Sequence, residues 1–396
     1  MTSEERREAR YLRRKAKRED KRKKVLEEHG DYYQVINRNA LSRAAHDATK
    51  NVRYKESVKR FMMRRLTNTA AINHKLMYHK DVRKGFICFS LVERGKLRDI
   101  MSVHFSERVV QKSLNQNALV PVITRSLIYD NGASQKGKGT SFARKRLVAH
   151  LRRHYRIHGR EGYVLLIDFK DYFGNIDHER AKQIIRDNFE DSGIIWLSEM
   201  FIDAYHDHKK KKLHLPENES VKGLGLGSEI NQTIAITYPN KMDHYIKEVL
   251  KIKGYGRYMD DSYLIHESKE YLQMCLEKIK EICRELKITI NEKKTRIVKL
   301  SHGFTFLKTQ YFISETGKIV RKPCHNSIVR ERRKLKKQYR LLQDGNIPFA
   351  AIRMSYASWR GSLKHGNARR TIHAMDKLFD SLFIDNWRQG GETVYG

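Results

Sequence analysis

The chain has 396 residues, 39% of them hydrophobic, enough to bury a sizeable core as one large domain with appendages or as two to three smaller ones. Its 81 Lys and Arg against 46 Asp and Glu give a formal charge of +35, which excludes a neutral surface and marks a polyanion as the partner. The four cysteines, Cys88, Cys275, Cys283 and Cys324, lack zinc-type pairing, and with no signal peptide or membrane-length apolar run the sequence reads as soluble, reduced and intracellular.

In chain order, Met1 to Lys24 holds twelve basic and five acidic residues and almost no large apolar ones. It predicts a solvated helix or a disordered arm, and a solubilising tail and a nucleic-acid contact are both open. Residues 31 to 85 read as basic helices, with "VRYKESVKRFMMRRL" apolar at helical spacing. Around Gly95, "GFICFSLVERGKLRDIMSVHF" shifts to a strand pattern. In "EGYVLLIDFKDYFGNIDH" a continuous apolar run, Tyr163 to Ile167, stops at Asp168, as in a buried strand that delivers a carboxylate at its end. A helix is expected from about His178, then a loop, "HDHKKKKLHLPENES", whose lysine run reads as solvated surface. "GLGLGSEI" opens a helical stretch to Leu250 that Pro239 interrupts.

"YGRYMDDSYLIH" predicts a hairpin with arms Tyr255–Met259 and Ser262–His266 and Asp260 and Asp261 at its tip, because Asp favours turns over strands. Two adjacent carboxylates repel, and such a pair either marks an ordinary acidic turn or holds a cation. Leu272, Cys275, Leu276, Ile279, Ile282 and Leu286 then recur at helical spacing, so a two-faced helix packs back on the sheet. This order of strand, helix, hairpin and helix implies an α+β domain. From Ser301 a short strand pair, "GFTFLKTQYFISETGKIVRK", gives way to a basic helical tail in which "RERRKLKKQYRLL" ends near Gly345.

Phosphoryl transfer by two metals needs carboxylates from separate segments converging on cations about 4 Å apart. Asp168 at one strand end and Asp260 with Asp261 on a hairpin supply such a set, and magnesium favours oxygen-only sites completed by phosphates and water.

"YMDD" between apolar strands, the Asp168-to-Phe173 segment upstream, the Gly-rich helix start between them, and the later "NEKKT" and "GFTFLK" together resemble, in order, the motifs of a reverse transcriptase palm from about Gly95 to Phe306. "RGKLRDI", "ERVVQ", "YDNGASQKGKGT" and "NKMDHYIKE" are similar to bacterial members, those of diversity-generating retroelements and related defence or orphan groups. The resemblance implies a right-hand architecture: a basic helical N-terminal extension (1–85), fingers and palm (86–310) and a basic helical thumb (311–396). It implies an RNA-directed DNA polymerase that adds dNTPs to a 3′ end of a DNA primer or product, on an RNA template that is in one reading a dedicated non-coding RNA. Two Mg2+ per site, with Mn2+ as a substitute, a bacterial cytoplasmic setting and no membrane partner follow from the same likeness.

Carried over by position, Asp168, Asp260 and Asp261 are the metal ligands, with the Phe169 carbonyl a further one. Phe173, which by itself reads as a core aromatic, falls where the family sets a ring against the 2′ position of the incoming nucleotide. Arg98, with Lys96 or Arg94, matches the basic finger hairpin on the triphosphate. Lys293 or Lys294 matches the lysine that protonates pyrophosphate, and Lys294 is taken for that role. Gly227 permits close backbone approach and Gln232 reaches the nucleotide. Lys138 in the glycine loop and Lys334, Lys337 and Arg360 in the tail are expected on nucleic-acid phosphates, whereas Tyr356 and Trp359 read as helix-packing core. The sequence departs from its relatives at Asn231, Ile236 and Pro239, which bears on templating.

Three other readings compete. "GASQKGKG" nearly forms a phosphate loop, but Gly139 stands where the magnesium-binding hydroxyl belongs, which disfavours an ATPase. A non-catalytic RNA-binding protein of polymerase fold would satisfy the charge, against which all three acids and Phe173 are retained. A polymerase extending DNA without a conventional template stays open through the changes around Asn231. The short end "GGETVYG" gives no endonuclease segment and disfavours a complete intron-mobility enzyme.

Overall fold

The computed structural model describes residues 2–93, 96–213, 216, 222–363 and 366–390. The arm is a helix, α1 (Ser3–His29), started by a capping box in which the Thr2 hydroxyl accepts from the Glu5 N–H and the Glu5 carboxylate accepts from the Thr2 N–H. None of its residues is buried. Four helices follow, α2 (Tyr32–Ile36), α3 (Arg38–Ala48), α4 (Glu56–Met63) and α5 (Arg65–Met77), then a hairpin of β1 (Phe86–Glu93) and β2 (Lys96–Val103). Next come α6 (Phe105–Leu114), α7 (Val120–Ile123), α8 (Thr140–His158), β3 (Tyr163–Asp168), α9 (His178–Arg186) and α10 (Ser192–Leu213). After the Gly-rich loop stand α11 (Glu229–Thr237), α12 (Asn240–His244), β4 (Gly254–Tyr258), β5 (Asp261–His266) and α13 (Lys269–Glu285). The chain ends in β6 (Arg296–Lys299), β7 (Phe304–Phe306), β8 (Thr309–Ile313), β9 (Ile319–Pro323) and the helices α14 (His325–Gln343), α15 (Phe349–Leu363) and α16 (Arg369–Gly390).

The central sheet runs β4-β5-β3-β6 with every pair antiparallel. One face, including Leu165, Ile167, Leu264 and Tyr255, joins the main core with α2, α3, α6, α11 and α13. The other, Val164, Leu166, Tyr263 and Ile265, packs against Leu147 and Leu151 of α8 and against Phe304, Tyr311 and Ile319 of the β7-β8-β9 sheet. Both faces are covered, and for that reason the β3 sequence is apolar throughout rather than alternating.

Several expectations shift. The predicted loop from His206 is helical as far as Leu213, because α10 continues through the lysines, which propagate helix and favour its C-terminal end. The predicted strand pair after Ser301 is a three-stranded sheet, β7 to β9. The aspartate turn sits one residue earlier than expected: Tyr258 pairs with Asp261, so Met259 and Asp260 form the two-residue corner and Asp261 opens β5. Met259 accepts a left-handed φ of 55° there. Helices α2 to α5 share the core of the sheet, through Val35, Leu41, Ala45, Ile72 and Leu76. The last three helices enclose a separate cluster of Leu335, Ile352, Tyr356, Met375, Phe379 and Phe383, which puts Tyr356 in the core as read. Among the described residues no helix is long and apolar enough to cross a membrane.

Candidate active site

Sheet register brings the first two acids together. Asp168, last residue of β3, is the direct partner of Asp261, first residue of β5. Side chains so paired in an antiparallel ladder stand about 5 Å apart at Cβ and on one face. By alternation that is the face of Leu166 and Tyr263, toward α8 and the β7-β8-β9 sheet. Asp260 lies in the corner, and its carbonyl accepts from the Phe169 N–H at 3.3 Å, which closes the turn onto the strand end.

The local charge is unbalanced. Burial, then the neighbouring Asp260 and Asp168 charges, push the Asp261 carboxyl up to about 7 despite Lys294. Asp168 is itself engaged: Lys294 Nζ donates to its two oxygens at 2.7 and 2.9 Å, and Asn291 Nδ2 donates to Oδ1 at 2.9 Å. The hydrogen bond to Asp168 in turn holds the Lys294 ammonium above the ordinary lysine range, against a smaller desolvation effect. "NEKKT" reaches this place because the Asn291 N–H donates to the Asp168 carbonyl at 2.8 Å and the Lys170 N–H to the Thr289 carbonyl, also at 2.8 Å. Asn291 was missed in the sequence; an Asn two residues before a lysine pair carries no pattern of its own.

The expectation is that the three acids share cations whose shells are completed by phosphates and water. Among the described residues no group of three or more His, Cys, Asp or Glu could hold a metal ion by itself. Lys294 and Asn291 draw on the Asp168 carboxylate, and Asp260 stands in the corner rather than in the ladder that pairs Asp168 with Asp261. The remaining donor set, two facing carboxylates with a third beside them, still fits magnesium. That ion is commonly held by one or two carboxylates while water and substrate phosphates complete its shell.

The other expected site residues have contacts of their own. Phe173 is half-buried beside the strand end, its ring edge-on to Tyr172 at 5.8 Å. Leu224 of the Gly-rich loop donates its N–H to the Phe173 carbonyl at 2.8 Å. Gly227 has a φ of 125°, and a Cβ there would meet the Met101 carbonyl oxygen at 2.8 Å, so the close approach that demands glycine is to β2. Ser228 caps α11, accepting from the Asn231 N–H, and Asn231 Nδ2 donates to the Gly225 carbonyl at 3.0 Å. Its departure from the family pattern thus fastens the glycine loop. Gln232 is exposed on α11, and its Oε1 accepts from the Ser134 hydroxyl at 3.4 Å. Lys96 and Arg98 lie in β2, but their side chains, and all of Arg94, lie outside the described residues.

The expected phosphate-binding cations divide. Lys138 Nζ donates to the carbonyls of Tyr129 and Asn131 at 3.0 and 3.1 Å and lies over the rings of Tyr129 and Phe142. The "GASQKGKG" loop therefore uses its lysine to close itself. Lys334 bonds Ser355, tying α14 to α15, and Arg360 Nε bonds Asp376 at 3.0 Å, tying α15 to α16. Lys337 is exposed on α14 among Arg330, Arg332, Arg333, Lys336 and Arg340, all exposed.

The chain matches the family described as reverse transcriptase (RNA-dependent DNA polymerase) over residues 84–311. It belongs to the reverse transcriptase family. No curated protein matches it. Solved structures similar to it include telomerase from Candida albicans in complex with a TWJ fragment of telomeric RNA, 11% identical, with 76% of this chain and 55% of that one covered and a TM-score of 0.44. Apo telomerase from Candida tropicalis is 12% identical, over 60% of this chain and 47% of that one, with a TM-score of 0.41. The reverse transcriptase chain spans about half the length of these telomerase chains (55% and 47%).

Proposed function

We propose that this reverse transcriptase is an RNA-directed DNA polymerase that extends a 3′ end with dNTPs at the β3–β5 strand ends. The observation that carries this reading is the direct pairing of Asp168 with Asp261, next to Asp260, at the open end of a sheet whose two faces are otherwise covered. Asp168, Asp260 and Asp261, with the Phe169 carbonyl beside them, would hold Mg2+. When bound, the metal supplies charge neutralisation at the attacking 3′ oxygen and at the pyrophosphate.

The chain's own groups do the rest. Lys294, held protonated beside Asp168, gives a proton to the departing pyrophosphate. Phe173 fills the space a 2′ hydroxyl would need, Gln232 reaches the nucleotide from α11, and Arg98 and Lys96 of the finger hairpin meet the triphosphate. Residues 86–310 form fingers and palm, 311–396 a thumb whose exposed α14 cations follow the duplex backbone, and 1–85 an extension of which α1 is the projecting part. The substrate template is RNA, in a bacterial retroelement or defence setting with a dedicated non-coding transcript, and the motifs "RGKLRDI" and "NKMDHYIKE" support that placement.

Primer extension with purified protein, an RNA template and Mg2+ tests the reading. Asp260→Asn and Asp261→Asn are expected to abolish incorporation while RNA affinity stays near wild type. Wild-type rates in both variants would refute it.

A further inference from the structure

Beneath the aspartate turn, on the opposite face of the sheet, lies a buried ion pair that the polymerase reading leaves unused. The side chains of Arg257 and Asp243 are both fully buried. Arg257 Nε and Nη2 donate to the Asp243 carboxylate at 2.9 and 2.7 Å, and the Tyr255 hydroxyl donates to the same carboxylate at 2.5 Å. Two donors of the guanidinium fork reach beyond the pair. Nη1 donates to the Met259 carbonyl at 3.0 Å, and Nη2 to the Ile236 carbonyl at 2.7 Å.

Pro239 frees a further acceptor at the same end of α11. It has no N–H, so the Ala235 carbonyl loses its helical donor. The Ala235 carbonyl, four residues before the proline, accepts instead from the Tyr172 hydroxyl at 2.6 Å. The Ile236 carbonyl accepts from Arg257 and from Asn131 Nδ2 at 3.2 Å. Tyr172 belongs to the loop that follows Asp168, and Arg257 stands two residues before the Met259–Asp260 corner. The broken end of α11 therefore grips both carboxylate-bearing segments at once. Its grip on the corner matters because Met259 sits at a φ of 55°, a conformation unfavourable for a side-chain-bearing residue that persists only where its surroundings fix it.

We propose that Arg257 is a positioning residue for polymerisation: it locks the Met259 carbonyl, and with it the Asp260–Asp261 turn, to the end of α11, so that both carboxylates stay registered against Asp168. Tyr172 performs the same service for the segment after Asp168. The proposal rests on the polymerase reading for its consequence but not for its geometry.

The test pairs Arg257→Lys with the double variant Asp243→Leu/Arg257→Met. Lysine keeps a charge against Asp243 but has no fork to span both Asp243 and the Met259 carbonyl. The double variant removes the buried charges together, which a core tolerates far better than one charge alone. Measured are melting temperature, amide hydrogen exchange across residues 258–262, and kcat and KM for dNTP in primer extension. Arg257→Lys is expected to stay folded, exchange faster over 258–262, and lose about 100-fold in kcat with KM for dNTP held within about twofold. Should Arg257→Lys fail to fold, the double variant decides: a wild-type melting temperature with the same loss of kcat supports the role. Wild-type kcat in either folded variant, or unchanged exchange over the turn, overturns it. A wild-type protein that extends no primer counts against the polymerase reading, and the exchange comparison then decides the positioning claim alone.

Discussion

Replacing Glu107 by Gln should remove a pH dependence of stability that the wild-type chain carries between acid and neutral solution. Glu107 is 1% exposed on α6, and burial pushes its carboxyl up to about 7, ahead of the compensating bonds from the Lys84 N–H and Gln111. The direction follows from linkage. In the unfolded chain the group ionises near 4.5, so folding takes up a proton between that value and about 7. Its contribution is complete below pH 4.5, declines as pH rises, and is gone above pH 7. The 2.5-unit span from 4.5 to about 7 corresponds to about 3 kcal/mol, of which about 2.5 kcal/mol falls between pH 5 and pH 8. Glutamine keeps the local bonds with one flip: its oxygen accepts from the Lys84 N–H, its amide donates to the turned-over Gln111, and the Gln111 amide then donates to the Ser228 hydroxyl oxygen, 3.0 Å away. Denaturant midpoints of both proteins, measured from pH 5 to pH 8, should show the wild type losing ground to Glu107→Gln by about that amount. Parallel curves would refute the burial argument. Because this chain of bonds ends at the cap of α11, the same series read by dNTP affinity reports whether the helix start moves with Glu107.

Phe173→Ala should raise ribonucleotide incorporation about tenfold or more relative to dNTPs, read on a sequencing gel; no gain would return the ring to a packing role. Lys294→Met should lower kcat about 100-fold with duplex affinity kept, since it removes the ammonium 2.7 Å from Asp168, and an unaltered kcat would make that ion pair structural only. Exchanging Arg10, Arg13, Arg14, Lys15, Lys17 and Arg18 of α1 for Gln should weaken RNA binding and flatten the plot of log affinity against log salt, whereas an unchanged slope would leave α1 a solubilising helix.

What was readable in the sequence were features in which one segment states its own environment. The apolar run Tyr163–Ile167 ending in Asp168, the two-faced helix α13 and the strand pattern around Gly95 each formed as read. The aspartate hairpin was readable too, but its corner is Met259–Asp260 rather than Asp260–Asp261, because a left-handed φ is not written in a methionine. The lysine run from Lys209 reads as a loop but continues α10, since charge alone does not separate a helix end from a turn. Harder still were relations between segments. Arg257 and Asp243 are 14 residues apart, and each by itself reads as surface charge; only the fold buries them against each other. Pro239 reads only as an interruption of the helix, yet the Ala235 carbonyl it releases accepts from Tyr172, beside the Ile236 carbonyl that accepts from Arg257. Nor could the apolar faces of α2 to α5 say that their partner is the central sheet.

Crystals of the protein with an RNA–DNA primer-template, an incoming dNTP and Mn2+, read by anomalous scattering, test the central claim most directly. Two peaks about 4 Å apart, within coordination distance of Asp168 and Asp261, are the predicted result. Bound nucleotide with no metal peak against either carboxylate would contradict it.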